Sequence, residues 1–397
     1  MTAINRRHPL QIAVVTETYP PEINGVAHTM RHLVQGLRAR GHQVLVVRPR
    51  QAHETHSSTF EMLVPGVPIP GYRSLRFGLP VASRLRKKWA KWRPDVLYIA
   101  TQGPLGHAAL YAACGLGIPA ATGFHTQFHH YSRYYGCGWL NQLIMHGLKR
   151  FHNRSAATLV PTMALQRQLE QQGFAHLELF TRGVDTTLFS PVHRSARLRQ
   201  HWGCDQHSLV VLYVGRLAAE KNIDLVFQSF AAIAAHQPSS RLVVVGDGPE
   251  RARLERLYPD AIFAGAKIGA ALAAHYASAD VFLFPSCTET FGNVVPEAMA
   301  SGLPVVAFDD AAARELIVNR CNGFKVPLSD TTGYSTLAGA VALDRAQLTA
   351  AGQAARATAE TLSWDRVIAL LEQRLLALIH RYPHAGNAHE SLAALIK

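Results

Sequence analysis

Two glutamates stand eight positions apart in TETFGNVVPE, residues 288–297, between the apolar run VFLFPS and the small-residue segment AMASGLP. If VFLFP is a strand and VVPEAMASG a helix, residues 288–293 form the loop at the strand's carboxyl end. The backbone N–H groups of Gly292, Asn293 and Val294 then face that loop from a helix start, where negative charge is stabilised. Glu289 falls in the loop and Glu297 in the first helical turns, so the two carboxylates have different tasks. They can accept hydrogen bonds from sugar or ribose hydroxyls on either side of a phosphate. Upstream, LVVLYVGRLAAEKN ends a strand at Arg216 and sets Lys221 at the start of the next helix. An arginine that forks onto phosphate oxygens and a lysine point charge are what a diphosphate needs. A glycosidase with two opposed carboxylates is the alternative, but it gives no reason for two cations nearby. Surface caps for the glutamates and an exposed cation pair are the plainer readings.

Other strand ends add weaker signals. RLVVVGDGPE closes on a Gly-Asp-Gly turn, and AIFAGAK ends in Lys267, a polar group at a rim where a nucleobase could be read. After the first apolar run comes TETYPPEINGVAHT, in which Gly25 lies close to a helix start and would let an anion approach backbone N–H groups. No GxGxxG or GxxxxGK[ST] occurs there, so it is neither a dinucleotide fingerprint nor a P-loop, and a plain helix-start glycine competes. His125 follows IPAATGF and opens FHTQFHHYSRYYG, an aromatic and histidine-rich stretch suited to stacking and hydrogen bonding with substrate. His129 and His130 can share a helical face with His125, but no carboxylate or cysteine completes a metal set; a structural histidine is the rival.

These residues need strands that end together. Short β-branched runs (QIAVV, QVLVV, DVLYIA, IPAATGF, ATLV) alternate with segments of helical period, and the second half repeats the pattern with LVVLYVG, RLVVVGDG, AIFAG, VFLFP and LPVVAF. Such alternation predicts α/β architecture, two doubly wound parallel sheets. Ligands in such sheets gather at the carboxyl ends of the strands. The expected layout is a first domain over 1–184, a linker over 185–192 within TRGVDTTLFSPV, a second domain over 193–364, and closing helices over 365–397 that return to the first domain. The Pro- and Gly-rich stretch RPRQAHETHSSTFEMLVPGVPIPGYRSLRFGLP reads as one long functional loop.

A chain of 397 residues with 48% hydrophobic composition can fill two cores. Five scattered cysteines show no CxxC spacing, which argues against a disulfide framework and a structural zinc and points to a reducing compartment. Nothing reaches the roughly 20 apolar residues of a membrane span, and IAVV is too short for a signal h-region. The net charge of +13 is lopsided: residues 1–190 hold 21 Lys and Arg against 8 Asp and Glu, whereas the remainder balances 19 against 19. Part of the excess sits in RLRKKWAKWR, where Arg84, Arg86, Lys87, Lys88, Lys91 and Arg93 interleave with Trp89 and Trp92. Cations with interfacial tryptophans suit an anionic lipid surface. The competing readings are a solvated helix face with inward-packed tryptophans and, less well supported, nucleic acid.

As an ordered set, ETYPPEINGVAHT, GVDTTLFSP, VGRLAAEKN, VVVGDGPE and FPSCTETFGNVVPEAMASGLPVVA resemble the retaining nucleotide-sugar glycosyltransferases of the GT-B fold, family 4, over nearly the whole chain. FHTQFHHYSRYYG and GYRSLRFGLP are similar to bacterial enzymes that place a hexose or hexuronic acid on diacylglycerol or a related lipid. The resemblance implies two Rossmann-like domains facing a central cleft and no cofactor or metal, the nucleotide-diphosphate sugar being a substrate. It implies a lipid acceptor, no nucleic acid, and a peripheral cytoplasmic location on the inner face of the cytoplasmic membrane. Arg216 and Lys221 would neutralise the donor diphosphate. Glu297 would hold its ribose, and Glu289 with Gly292, Asn293 and Val294 the transferred sugar. His125 would contact that sugar near its reactive carbon, Gly25 would admit the phosphate to a helix start, and Lys267 would lie near the base. The chain departs from the usual pattern at Asn293 and at Val295-Pro296, where a proline early in a helix is tolerated. A soluble glycan acceptor is the runner-up; a nucleotide-sugar epimerase, a phosphorylase or a non-catalytic binding protein stands further off.

Overall fold

A computed structural model describes residues 8–22, 24–51, 54, 58–69, 72–125, 141–205 and 207–382. In each half, runs of apolar, β-branched residues become strands buried on both faces, as expected where helices cover both sides of a parallel sheet. The first unit holds β1 (Gln11–Val15), β2 (Gln43–Pro49), β3 (Glu61–Val64), a two-stranded hairpin of β4 (Gly66–Ile69) and β5 (Tyr72–Gly78), then β6 (Val96–Ile99), β7 (Ala120–Gly123), β8 (Ala157–Val160) and β9 (Leu177–Leu179). Seven of these form one sheet in the order β3-β2-β1-β6-β7-β8-β9, its registered pairs all parallel. Val14, for example, lies between Val46 and Tyr98. The helix Gly25–Ala39 buries Ala27, Met30, Leu33, Val34 and Leu37, a spacing that lines one face.

The second unit holds β10 (Val210–Val214), β11 (Arg241–Val245), β12 (Ile262–Gly265), β13 (Val281–Phe284), β14 (Val305–Phe308) and β15 (Phe324–Val326), a six-stranded parallel sheet ordered β12-β11-β10-β13-β14-β15. All five residues of β10 are buried. The strand order reverses direction between β1 and β6 in the first unit and between β10 and β13 in the second. Such a reversal parts the flanking loops and opens a crevice at the strands' carboxyl ends.

Two expectations change. The stretch taken as one long loop contains β3 and the β4–β5 hairpin, whose proline and glycine content had masked short strands. The segment 185–192, expected to be a linker, is built into the second unit, which runs Arg182–Ser363. Phe189 packs edge-on against Tyr276 with ring centroids 5.7 Å apart, and Arg356 donates to the carbonyls of Thr186 and Phe189. The closing helix Trp364–Arg381 belongs to the first unit, where Leu371, Leu375 and Leu378 join the core and Trp364 stacks flat on His32.

Candidate active site

In the second unit, β10 gives way through Gly215 to Arg216, and a 3-10 turn over Ala219–Lys221 leads into the helix Ile223–Ala234. β13 gives way to Ser286 and the loop that starts the helix Val294–Ala300, with Asn293 at its N-cap. These two strand ends are neighbours in the sheet, so the loops meet. Lys221 Nζ lies 2.6 Å from Glu289 Oε1, which also accepts from Ser286 Oγ at 2.9 Å. Arg216 pairs with Glu220, whose side chain is 2% exposed. Thr288 Oγ1 donates to the carbonyl of Glu220 at 3.0 Å and ties the two loops together. Gly292 has φ +88°, and a Cβ there would press on Glu289 Cγ at 3.3 Å, so glycine lets the loop fold over the glutamate. Beside Glu289 a small hollow is lined by Phe284, Ser286, Phe291, Val295 and Asp310.

Glu297 sits one helical turn inside Val294–Ala300, and its Oε2 accepts from the hydroxyl of Tyr276 at 3.1 Å. Burial pushes its carboxyl up to about 7, a rise that the Tyr276 hydrogen bond opposes. Lys267 follows β12, partly exposed, shortly before the helix Gly269–Ser278. The structure thus brings together Arg216, Lys221, Glu289, Gly292, Asn293 and Val294 around one pair of strand ends.

Gly25 and His125 lie at strand ends of the first unit. Gly25 opens its helix, but Asn24 is the N-cap and its side chain accepts from the N–H groups of Val26 and Ala27 at 3.1 and 2.9 Å. An anion at that helix start would have to displace Asn24. His125 is buried after β7, its Nε2 2.6 Å from the hydroxyl of Tyr98 on β6. His129 and His130 lie outside the described residues. Near the end of β1, Glu17 accepts backbone hydrogen bonds from Gly78 and Leu105, each at 3.0 Å, and from Gly106. Gly103, which caps the helix Pro104–Leu116, could carry no Cβ without striking this carboxylate. Burial holds Glu17 up at about 7.

The basic segment forms the helix Ala82–Trp92, with Arg84, Arg86, Lys87, Lys88, Lys91 and Arg93 exposed. Trp89 corrects the expectation of two tryptophans at a lipid boundary: it is 1% exposed and packs with Leu85, Leu97, Leu105 and Ala109 in the core, and Trp92 is partly buried beside it. Among the described residues no helix is long and apolar enough to cross a membrane, and no three His, Cys, Asp or Glu side chains gather as a metal site requires.

Sequence reasoning missed Tyr276, Glu220, Ser286, Tyr98 and Glu17. Glu17 and Glu220 stand within quoted motifs, where neighbouring residues drew the attention. Tyr276 lies in a small-residue helix and reads as an ordinary core aromatic; nothing in the sequence marks its hydroxyl.

Residues 208–342 match the family described as glycosyl transferases group 1, and residues 23–188 match glycosyltransferase family 4. A GDP-mannose-dependent alpha-mannosyltransferase of Mycolicibacterium smegmatis is 34% identical over 365 residues, 90% of this chain and 95% of that protein. An alpha-monoglucosyldiacylglycerol synthase of Streptococcus pneumoniae is 25% identical over 328 residues, 79% of this chain and 74% of that protein. Sucrose-phosphate synthase from Thermosynechococcus elongatus shares the fold with a TM-score of 0.74 at 19% identity, covering 94% of this chain and 100% of its own. Two doubly wound units of this kind make the GT-B fold. The chain is a glycosyltransferase and belongs to the group 1 glycosyltransferases of family 4.

Proposed function

We propose that the chain moves a hexose or hexuronic acid from a nucleoside diphosphate sugar to a lipid acceptor such as diacylglycerol, with retention at the anomeric carbon. The observation that carries this reading is the placement of Arg216 and Lys221 with Glu289 at the adjoining ends of β10 and β13. Cations for a diphosphate and an acceptor for sugar hydroxyls stand side by side. As the bond from the anomeric carbon to the diphosphate oxygen breaks, Arg216 and Lys221 meet the developing negative charge. The acceptor hydroxyl attacks from the same face, and its proton passes to an oxygen of the departing diphosphate. The two side-chain cations supply the positive charge that departure needs, so transfer in the presence of EDTA is expected. His125 contacts the sugar, Glu297 the ribose and Lys267 the base edge, with Gly25 at the phosphate side.

Support for the donor class comes from the mannosyltransferase relative, whose name specifies GDP-mannose and an alpha product. Support for the lipid comes from the relative named for monoglucosyldiacylglycerol and from the exposed cations of the helix Ala82–Trp92, which suit an anionic headgroup surface. Trp89, being buried, takes no part, so attachment is electrostatic, peripheral and salt-sensitive. The protein then works at the inner face of the cytoplasmic membrane.

The test is nucleoside diphosphate release from UDP-glucose, UDP-glucuronate, UDP-galactose and GDP-mannose, in EDTA, with and without diacylglycerol in anionic vesicles. Release from one donor that rises with the lipid supports the reading. Release indifferent to lipid moves the acceptor to a soluble glycan, and release only on metal addition removes the metal-independent step.

A further inference from the structure

We infer that Tyr276 is a positioning residue for donor binding: its phenol fixes one oxygen of Glu297 so that the carboxylate is presented, ionised, to the two ribose hydroxyls. This rests on the reading that Glu297 holds the ribose. Tyr276 lies on the helix Gly269–Ser278 with no exposed surface, edge-on to Phe189 and Phe282 at 5.7 Å each and within the core that includes Val295 and Met299. A phenylalanine would fill this apolar site without bringing a hydroxyl out of water. A buried hydroxyl is tolerated only when it is partnered, and the partner here is Glu297 Oε2 at 3.1 Å.

That partner differs from the core around it. Glu297 keeps part of its residue surface exposed, and a carboxylate has about four acceptor sites, of which one phenol uses one. The remaining capacity suits a vicinal diol. Burial raises the carboxyl to about 7, and the phenol's donation acts against that rise. Without the phenol the carboxyl is protonated to higher pH and becomes a poorer acceptor for two hydroxyls.

Other groups near the helix Val294–Ala300 are otherwise engaged. Arg356, on the packed helix Arg345–Glu360, donates to the carbonyls of Thr186, Phe189 and Ala300. Asp310, which precedes the helix Ala311–Leu316 without capping it through its side chain, has other polar contacts, Glu289 is paired with Lys221, and Tyr213 on β10 donates to the carbonyl of Arg216. His275, the neighbour of Tyr276, is bonded to the carbonyl of Ala271.

The experiment is calorimetric titration of the full chain with UDP, GDP and their 2′,3′-dideoxy counterparts between pH 6 and pH 9, for the unmodified protein, Tyr276→Phe and Glu297→Gln. In the unmodified protein the affinity for the ribose-bearing nucleotide rises as pH passes through about 7. Tyr276→Phe moves that midpoint up by about one pH unit, weakens binding ~5-fold at neutrality and close to ~10-fold at the acid end, and recovers by the alkaline end. The dideoxy nucleotides bind both proteins alike. A midpoint unmoved in Tyr276→Phe, with dideoxy binding intact, overturns the positioning role. If Glu297→Gln prefers ribose to dideoxyribose as strongly as the unmodified protein does at the alkaline end, the ribose reading is itself wrong and the inference goes with it. Should Tyr276→Phe not fold, 3-fluorotyrosine introduced at position 276, a stronger donor, is expected to lower the midpoint; no movement overturns the proposal.

Discussion

Each unit keeps one carboxyl group raised to about 7 near the carboxyl edge of its sheet, Glu17 in the first and Glu297 in the second. Their surroundings differ. Glu17 is spent on backbone N–H groups of Gly78, Leu105 and Gly106, so it caps a helix from a distance and ties β5 to the edge. Glu297 meets one phenol and keeps acceptor capacity, while the neighbouring Glu289 faces a lysine that a ligand can claim. The same residue type, near the carboxyl edges of two similar sheets, is thus closed off by backbone donors in one and left with a side-chain donor in the other. What separates them is whether backbone donors or tradable side chains surround the carboxylate.

The comparison can be broken first at Lys221. Lys221→Ala is expected to lower kcat ~100-fold or more while leaving the acceptor KM nearly unchanged, because the lost interaction belongs to the transition state. Steady-state kinetics on both substrates decides it, and an effect confined to acceptor KM would show the second edge to be as structural as the first. Next comes Glu17→Ala, which strands two or three buried N–H groups. A loss of about 4 kcal/mol from the first unit is expected in urea unfolding, whereas Glu289→Gln, which leaves an amide oxygen to accept from Lys221 and Ser286, should cost less. Equal losses would erase the distinction.

The third test uses pH. A carboxyl whose folded pKa is raised binds its proton more tightly in the folded state, so stability is fully present below the unfolded value of 4.5 and falls as pH rises through about 7. Glu17 accounts for a loss of ~3 kcal/mol across that window. Unfolding midpoints of Glu17→Gln should flatten in it, and an unchanged slope would assign the dependence elsewhere. The smallest effect is at Ala311, which holds φ +46° at the rim of the hollow beside Glu289. Ala311→Gly should raise stability by ~1 kcal/mol by relieving left-handed strain; a lower unfolding midpoint would mean that the backbone there is unstrained.

Much of this architecture can be read in the chain because strands buried on both faces announce themselves as unbroken apolar runs. Each of β10, β11, β13 and β14 coincides with such a run, and the order of motifs places Arg216, Lys221 and Glu289 at strand ends. β9 and β15 are only three residues each, too short to display a period. The β4–β5 hairpin is hidden by its proline and glycines. Trp89 was ambiguous for a different reason: a tryptophan in a basic helix has the same composition whether it faces lipid or core, and only the packing against Leu97 and Leu105 decides. Pairings such as Tyr276 with Glu297 join residues 21 positions apart through tertiary geometry, and no local pattern encodes them.

The ion pair between Lys221 and Glu289 has a consequence for traffic through the site. An anion that offers only negative charge must pull Lys221 away and cost Glu289 its cation, so on the proposed reading abundant polyphosphates gain little by entering. A ligand that carries a diphosphate and a hydroxylated sugar together satisfies both partners at once. On the proposed reading, the nucleotide left after transfer retains the charge but has lost the sugar, and Glu289 no longer has sugar hydroxyls beside the Ser286 hydroxyl that it keeps throughout. The internal pair would then reform at the expense of the spent nucleotide, so that on this reading the contact which discriminates at entry would also hasten departure.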